Sequence, residues 1–209
     1  MPQITQPHAE SHPDQPAYFE AMFRKSDDPW GFQTRWYEKR KRALTLACLP
    51  AERYAHGFEP GCANGELAAR LATRCDSLLA SDGIDKAVAL SRARLKDHTN
   101  VEVRKAWVPR DWPHDRFDLI VLSEFLFYLK PEAVEEVARK AQETLMPGGV
   151  ILACHWRHPI EHCTITGDDA HDALERHIAL PRRCHLVEPD LRIDVWSAGP
   201  TVAEREGLS

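Results

Sequence analysis

The stretch Phe58-Glu59-Pro60-Gly61-Cys62-Ala63-Asn64-Gly65-Glu66 decides the fold of this chain. It follows a short strand-like segment and precedes a helix-forming run, 67–74. Asp82 stands twenty-one positions after Gly61, at the end of a second apolar segment. A glycine-rich turn between strand and helix, with an acid after the next strand, is typical of Rossmann-like sheets that hold a nucleoside. The glycines let the backbone approach the ligand, and the carboxylate accepts hydrogen bonds from the ribose hydroxyls.

The spacing of the glycines bears on which nucleoside this turn would hold. A dinucleotide site favours G-x-G-x-x-G, whereas here Gly61-x-x-x-Gly65 has Ala63 in place of the second glycine. Glu59 precedes Gly61 by two residues, where a negative charge repels pyrophosphate but suits the cationic sulfonium and ammonium of S-adenosylmethionine. The turn is therefore interpreted as an adenosylmethionine site. A nucleotide site and a purely structural turn are the alternatives.

Length and composition indicate one soluble domain. A chain of 209 residues suffices for a single α/β core. The net charge of -5, with both signs interspersed, gives no indication of a nucleic-acid or membrane-surface partner. No apolar run approaches the roughly 20 residues of a membrane helix, and the N-terminus lacks the apolar segment of a signal peptide. The six cysteines contain no C-x-x-C pair, so reduced thiols in a cytoplasmic protein are expected.

Alternating strands and helices predict a doubly wound α/β fold. The run 117–122 is almost wholly apolar, as expected of a strand buried on both faces of a parallel sheet. A late pair of apolar segments around Glu188-Pro189-Asp190 is expected to form an antiparallel hairpin. The expected strands lie near 56–60, 77–82, 101–105, 117–123, 149–156, 184–187 and 191–196, and the expected core helices near 64–74, 84–95, 131–145 and 168–178.

The segments before the sheet lack the alternating strands and helices of the core. Residues 1–16, rich in Pro, His and Gln, are expected to form a disordered lead-in. The pattern predicts a short helix at 18–24, a turn at 27–31 and a second helix at 36–49, which Pro50 stops.

The second of these helices has Leu44, Ala47 and Leu49 as its apolar points, and its basic run 39–42 is expected mainly as a solvated face. Residues 17–200 are therefore expected to form a single domain. Within it, 17–54 would be a helical lid and 55–200 the Rossmann-like core, followed by a tail at 201–209.

With these residues in place, the chain resembles class I S-adenosylmethionine-dependent methyltransferases. More narrowly it resembles the nodulation-protein-S-like family, whose founding member N-methylates a deacetylated amino sugar. The resemblance implies a seven-stranded, doubly wound Rossmann-like sheet with a C-terminal antiparallel hairpin, and S-adenosylmethionine as cofactor. It is carried by Asp28-Pro29-Trp30, Trp36-Tyr37-Glu38-Lys39-Arg40-Lys41, Phe58-Glu59-Pro60-Gly61-Cys62, Leu79-Ala80-Ser81-Asp82, Phe117-Asp118-Leu119-Ile120-Val121-Leu122-Ser123-Glu124 and Pro147-Gly148-Gly149.

The resemblance also implies where the cofactor lies. Asp82 would take the ribose, and adenine would sit beside Ala106-Trp107-Val108. Relatives usually carry an Asp where Trp107 stands, so the indole is expected either to stack on adenine or to leave the polar contact to the backbone. Gly61, Cys62, Ala63 and Gly65 would line the methionine part, and the other expected cofactor residues are Glu59, Gly83, Ser123, Trp36, Tyr37 and Lys41. Arg40 is the alternative to Lys41 as partner of the cofactor carboxylate.

Methyl transfer from a sulfonium is an in-line displacement, which needs a close, collinear acceptor with a free lone pair and no competing water. An amine loses its proton readily, so a carboxylate or His partner suffices, whereas a hydroxyl needs a stronger base or a metal. The catalytic candidates are Glu124 directly after the fourth strand, Tyr128 four residues later, and His155 at the end of the fifth strand. The alternatives are a helix cap or cofactor contact for Glu124, a core or lid residue for Tyr128, and a satisfied structural histidine for His155.

Three further residues are expected at the acceptor. Trp30, with its neighbouring aromatics, would close over the cofactor and exclude water, or else merely pin a helix to the sheet. Arg157 and His158 are expected to line the acceptor pocket, where Arg157 would meet an anionic or polyhydroxylated substrate. No metal is expected, since the Cys and His residues of 154–163 match no standard zinc spacing.

The sequence thus predicts an enzyme that transfers a methyl group from S-adenosylmethionine to an amine of a small molecule, with an amino sugar as one such acceptor. Three alternatives are a small-molecule O-methyltransferase, an NAD(P)-dependent oxidoreductase and a non-catalytic adenosylmethionine-binding protein. Ala63 argues against the oxidoreductase, because it occupies the place of a phosphate-binding glycine.

Overall fold

A computed structural model describes residues 15–208 of the chain. The strands are β1 (Tyr54–Pro60), β2 (Cys75–Asp82), β3 (Val101–Lys105), β4 (Phe117–Ser123), β5 (Leu145–Trp156), β6 (Arg182–Val187) and β7 (Leu191–Ser197). The helices are α1 (Gln15–Lys25), α2 (Trp36–Ala47), α3 (Glu66–Leu71), α4 (Asp85–Arg94), α5 (Pro131–Thr144), α6 (Gly167–His177) and α7 (Val202–Arg205). Two single 3-10 turns follow α3 and β4, at Ala72–Arg74 and Leu126–Tyr128.

All seven strands form one sheet in the order β3-β2-β1-β4-β5-β7-β6. The pairs from β3 to β5 are parallel, whereas β7 runs antiparallel to both β5 and β6. The C-terminal hairpin therefore joins the sheet through its second strand. This arrangement confirms the predicted Rossmann-like, doubly wound α/β fold with an antiparallel finish.

Apolar layers cover both faces of the sheet, so the central strand is buried on each side. Leu119 and Val121 of β4 pack in the cluster on the α3 and α4 side, and Ile120 and Leu122 in the cluster on the α5 and α6 side. All four side chains are fully buried, as the apolar run predicted. Among residues 15–208, no helix combines the length and apolar character needed to cross a membrane.

Several element boundaries differ from the predicted ones, and the starts of β5 and β2 show the physical reason. β5 begins at Leu145 rather than at 149, because Met146-Pro147-Gly148-Gly149 bulges inside the strand. The pairing jumps from Phe117↔Leu145 to Leu119↔Val150 across this bulge, and Gly148 takes a φ of 74°. β2 begins at Cys75, two residues earlier than predicted, because Cys75 pairs with Tyr54 at the start of β1.

The termini also differ from expectation. α1 begins at Gln15, so residues 15 and 16, expected in the disordered lead-in, are helical. Residues 1–14 of that expected lead-in lie outside the described part of the chain. At the other end, the expected tail contains the short helix α7.

The helix α2 buries charged residues in addition to part of the predicted apolar stripe, since Leu44 packs against the core and Leu49, just beyond the helix, is buried in it. Its buried side chains are Glu38, Lys41, Arg42 and Thr45, whereas Ala47 is exposed. The expected solvated face was therefore wrong for Lys41 and Arg42. A helix can bury charges only when each has a charged or hydrogen-bonding partner, which indicates that α2 faces oppositely charged groups.

The start of α6 offers a test of how firmly this helix is fixed. Thr166 and Asp169 form a reciprocal capping box, and α6 buries Ala170 and Leu174 against the sheet. Removing such a cap costs about 1 kcal/mol, so Thr166→Ala should lower the free energy of unfolding by that amount in chemical denaturation. Thr201→Ala removes the same motif from α7, which buries no residue, and should leave the free energy unchanged. Equal losses in both variants would contradict this assignment.

Candidate active site

A cavity of about 710 Å³ opens at the carboxyl ends of β1, β2 and β4, where open α/β sheets bind ligands. Its floor is the glycine turn after β1, and its roof includes Phe19 and Phe23 of α1. Trp30 also lines it and packs edge-on against Phe23 with ring centroids 5.5 Å apart. The predicted lid segment and the predicted cofactor turn therefore enclose one space.

The glycine turn is built from left-handed backbone conformations. Gly61, Ala63 and Gly65 have φ values of 72°, 48° and 79°. A Cβ atom at Gly61 would lie 3.3 Å from Cβ of Phe125, so a side chain there would crowd the neighbouring loop. Cys62 fixes the turn to the sheet, because its N–H donates to the carbonyl of Ser81 at 2.9 Å. Gly61, Cys62 and Ala63 line the cavity as expected.

Asp82 presents its carboxylate to the cavity at the end of β2. Its oxygens accept the N–H groups of Ala63 at 3.0 Å and Ile84 at 2.9 Å, which orients the group without using every lone pair. Burial raises the pKa of Asp82 to about 6, against the opposing effect of these hydrogen bonds. A carboxylate held in this way can accept further hydrogen bonds from a vicinal diol.

Glu59 and Asn64 bring unsatisfied acceptors to the same cavity. Oε2 of Glu59 and Oδ1 of Asn64 are buried and have no hydrogen-bond partner among residues 15–208. Burial, and then the charge of Asp82, raise the pKa of Glu59 to about 8. Because buried acceptors without donors are unfavourable, this corner fits a ligand that donates hydrogen bonds, such as an ammonium group. The residues present thus fit the amino-acid and ribose parts of S-adenosylmethionine.

Trp107 lies directly against the backbone after Asp82. A Cβ atom at Gly83 would come within 2.2 Å of Cε2 of the indole, so only glycine allows this approach. The N–H of Trp107 donates to Oδ2 of Asp111 at 3.0 Å, which holds the segment by a carboxylate four residues later. Gly83, Ala106, Trp107 and Val108 all line the cavity, as the predicted adenine region requires.

A buried ionic cluster forms the opposite wall, between α2 and the end of β4. Nζ of Lys41 lies 2.8 Å from Oε1 of Glu124 and 2.9 Å from Oε2 of Glu38. Although burial works against its charge, the two carboxylates raise the pKa of Lys41 above its ordinary value. Burial raises the pKa of Glu38, and Lys41 opposes that rise. The cluster therefore holds two carboxylates and one ammonium in the cavity wall.

Glu124 is held in an unusual conformation within this cluster. Its φ is 59°, a left-handed value that non-glycine residues seldom adopt. Its Oε2 accepts the N–H of Trp156 at 3.2 Å, so both carboxylate oxygens are engaged. The predicted residues Glu124 and Ser123 line the cavity beside Lys41.

Two tyrosines line the cavity next to the ionic cluster. Tyr37 packs edge-on against Trp156 at 5.1 Å, and Nζ of Lys41 lies 5.3 Å from its ring centroid. Tyr128 packs edge-on against Phe19 of α1 at 4.8 Å, which supports its alternative role as a lid residue. Burial raises the pKa of both phenols above the ordinary value, so neither is a ready base at neutral pH.

His155 does not line the cavity. Its ring is fully buried behind the 3-10 turn after β4, with Nδ1 3.0 Å from Nε2 of His171. Burial lowers the pKa of His155 well below its ordinary value. The expected role as a base is thus unsupported, and the alternative of a satisfied structural histidine describes its surroundings.

Four other predicted site residues also lie away from the cavity lining. Gly65 caps α3 and packs against Ser91, and Trp36 is 74% exposed on the outer side of α2. The expected cofactor contacts of these two residues are therefore corrected.

Arg157 and His158 are engaged outside the cavity, contrary to the expected acceptor pocket. Arg157 forms an ion pair with Asp168 and donates to the carbonyl of Glu188, and His158 lies 2.7 Å from Oδ1 of Asp190. Among residues 15–208, no group of three or more His, Cys, Asp or Glu side chains is arranged to hold a metal ion.

The sequence reading missed Glu38 as a site residue. Glu38, Lys41 and Thr45 are spaced i, i+3 and i+7 along α2, which puts three polar side chains on one helical face. That spacing was the available signal, but the adjacent basic run indicated that this part of the helix is exposed to solvent. In the basic run, Lys39 is exposed, whereas the half-exposed Arg40 forms a two-pronged ion pair with Glu188 of the hairpin.

Comparisons with known proteins agree with this architecture. A family model described as nodulation protein S (NodS) matches residues 20–154. Nodulation protein S of Sinorhizobium fredii is 29% identical over 126 residues, which are 59% of this chain and 58% of that protein. Nodulation protein S of Rhizobium tropici is 30% identical over 129 residues, covering 61% of this chain and 54% of that protein. The chain thus spans little more than half the length of these curated relatives.

Solved structures show the same fold. A Pseudomonas syringae protein provisionally called a methyltransferase is 45% identical with a TM-score of 0.71, covering 78% of this chain and 99% of that one. The N-methyltransferase NodS of Bradyrhizobium japonicum WM9, in complex with S-adenosyl-L-homocysteine, aligns with a TM-score of 0.79 at 21% identity. That alignment covers 87% of this chain and 97% of the other.

The family match includes the glycine turn, Asp82 and the ionic cluster of α2 and β4. It extends over well more than half of the 209 residues. With the strand order and the cavity described above, this match establishes that the chain belongs to the nodulation protein S (NodS) family and has the Rossmann-like fold of class I methyltransferases.

Proposed function

We propose that this protein transfers a methyl group from S-adenosylmethionine to an amine of a small molecule. The observation that carries the choice of an amine is the ionic cluster in the cavity wall. Glu38 and Glu124 share Lys41, so these three side chains carry one excess negative charge, while the neighbouring Arg42 pairs with Glu66. A buried excess charge is unfavourable unless a ligand neutralises it, and an ammonium group does so.

The cofactor half of the cavity supports the same proposal. Asp82 would accept the ribose hydroxyls, and the unpartnered oxygens of Glu59 and Asn64 would accept the α-ammonium. The glycine turn would lie along the methionine chain, and Trp107 would bound the adenine. Family membership and the likeness to a NodS structure that contains S-adenosyl-L-homocysteine support this assignment.

When bound, S-adenosylmethionine supplies an electrophilic methyl group on a sulfonium. The protein residues would align the acceptor and manage its proton. Glu124, fixed by Lys41 and by the N–H of Trp156, would hold an N–H of the acceptor. Glu38 would take up the ammonium proton, since burial raises its pKa relative to an ordinary glutamate.

The lid and the aromatic walls would exclude water during transfer. α1 lies over the cavity through contacts of Phe19 with Tyr128 and of Phe23 with Trp30. Opening this lid would admit the ligands, and closing it would remove water that competes for the methyl group.

The six cysteines are free thiols, which supports the expected cytoplasmic compartment.

The proposed function is tested with methyl-labelled S-adenosylmethionine and a panel of small amines, each paired with the alcohol of the same skeleton. We expect labelled product on amines only, because the excess carboxylate selects a cationic acceptor. Mass spectrometry of the products reads the outcome. Product confined to alcohols would favour the O-methyltransferase. Bound S-adenosylhomocysteine without any product would favour a non-catalytic binding protein.

Glu38→Gln should weaken binding of the amine acceptor and leave binding of the cofactor unchanged. The change leaves Lys41 and Glu124 as a neutral pair, so KM for the best amine should rise about 10-fold or more, as expected for losing a charge-assisted contact. Calorimetric affinity for S-adenosylhomocysteine should stay within about twofold. Glu143→Gln, on the exposed side of α5, serves as control. An unchanged KM would show that the acceptor does not use this charge.

Glu59 should lose its proton when the cofactor binds. At about pH 7 a carboxyl with a pKa of about 8 is mostly protonated, and an adjacent ammonium would lower that pKa. Binding of S-adenosylhomocysteine should then release close to one proton. Calorimetry in buffers of different ionisation enthalpy measures this release, which should shrink near pH 9 and be absent in Glu59→Gln. Wild-type binding without proton release would remove Glu59 from the ammonium site.

A further inference from the structure

A buried chain of hydrogen bonds runs from the cavity wall to β7 along the α6 side of the sheet. The N–H of Leu126, in the 3-10 turn after β4, donates to Nε2 of His155 at 3.4 Å. Nδ1 of His155 lies 3.0 Å from Nε2 of His171 in α6. Nδ1 of His171 lies 2.7 Å from Oδ2 of Asp194 on β7. His155, His171 and Asp194 are all fully buried.

The two ends of this chain fix the position of every proton in it. The amide of Leu126 can only donate, and the carboxylate of Asp194 can only accept. His155 must therefore carry its proton on Nδ1 and donate it to His171, which in turn donates its own Nδ1 proton to Asp194. Asp194 is held as a carboxylate by His185 at 2.6 Å and Arg192 at 2.8 Å. Both buried histidines are thus neutral single tautomers.

The loop that His155 contacts is the one that carries Glu124. Three consecutive residues of β5 hold it: the carbonyl of Cys154 accepts the N–H of Glu124 at 3.0 Å, Nε2 of His155 accepts the N–H of Leu126, and the N–H of Trp156 donates to the Glu124 carboxylate. Only His155 does so through its side chain. The ring of Phe127, which lines the cavity, also packs edge-on against His155 at 5.5 Å.

The loop needs such support because Glu124 has a left-handed backbone. A φ of 59° in a non-glycine residue costs free energy and persists only where neighbours hold it. Without an acceptor for the Leu126 N–H, that buried amide would lose its partner and the loop could relax. The Glu124 carboxylate would then leave the position that Lys41 and the acceptor share.

We propose that His155, held in one tautomer by His171 and Asp194, is a positioning residue that fixes Glu124 for methyl transfer. The inference rests on the proposed function of the cavity. It assigns His155 a structural link to the reacting groups in place of direct proton transfer. The hydrogen bond to Leu126 is the point at which this link acts.

The test compares His155→Leu with His155→Gln. Leucine removes the acceptor for Leu126, so kcat for the best amine should fall about 10-fold or more while S-adenosylhomocysteine affinity stays within about twofold. Glutamine can accept from Leu126 and donate to His171, and should restore most of kcat. Trp196→Phe removes a partly buried hydrogen bond between β7 and Glu175 of α6, the same two elements that hold Asp194 and His171. It is the control and should leave kcat unchanged.

Amide hydrogen exchange at Leu126 gives a readout that does not require turnover. Exchange should accelerate about 10-fold or more in His155→Leu and remain at the wild-type rate in Trp196→Phe. Faster exchange with unchanged kcat would overturn the positioning role, and so would unchanged exchange. If His155→Leu does not fold, His171→Leu, which removes the partner of the His155 Nδ1 proton, takes its place. A wild type without turnover would refute the proposed function, whereas the exchange data would still report on the loop.

Discussion

The buried contact of Lys41 with Glu38 and Glu124 is the interaction on which the site depends. It joins the helix of the lid to the end of the central strand and sets the charge of the cavity at the same point. Ion pairs also flank it on the same helix, where Arg40 meets Glu188 and Arg42 meets Glu66. Because buried charges are stable only with partners in place, α2 has one favourable position on the sheet. Charge pairing therefore adds to the apolar contacts of Leu44 and Leu49 in holding α2 against the sheet.

The fold was predictable because its signals are local. The glycine turn, Asp82 and the apolar run of β4 lie in short segments whose periodicity and residue types each suggest one structure. The bulge in β5 was not predictable in this way. Met146-Pro147-Gly148-Gly149 has the composition of a turn, and only pairing with β4 makes it part of a strand.

The candidate site also contains residues with local sequence signals and residues that only the tertiary structure brings together. The ends of β1, β2 and β3 are local motifs, and their residues Gly61, Asp82 and Trp107 line one cavity. The rest of the cavity lining comes from α1, α2, the loop after β4 and the hairpin. Glu38 and Lys41 are separated from Glu124 by more than eighty positions, and no local sequence pattern predicts a contact over that separation. His155 lies near the carboxyl end of β5, as a catalytic base would, yet its ring contacts His171 of α6 and does not line the cavity.

The C-terminal hairpin contacts both α2 and the edge of the cavity. Its loop meets the lid helix through Glu188 and borders the cavity at Asp190, and β7 supplies the carboxylate behind His171. All of these residues follow position 154, where the family match ends. Sequence changes in the hairpin can therefore reshape this edge of the cavity while the glycine turn and Asp82 stay as they are.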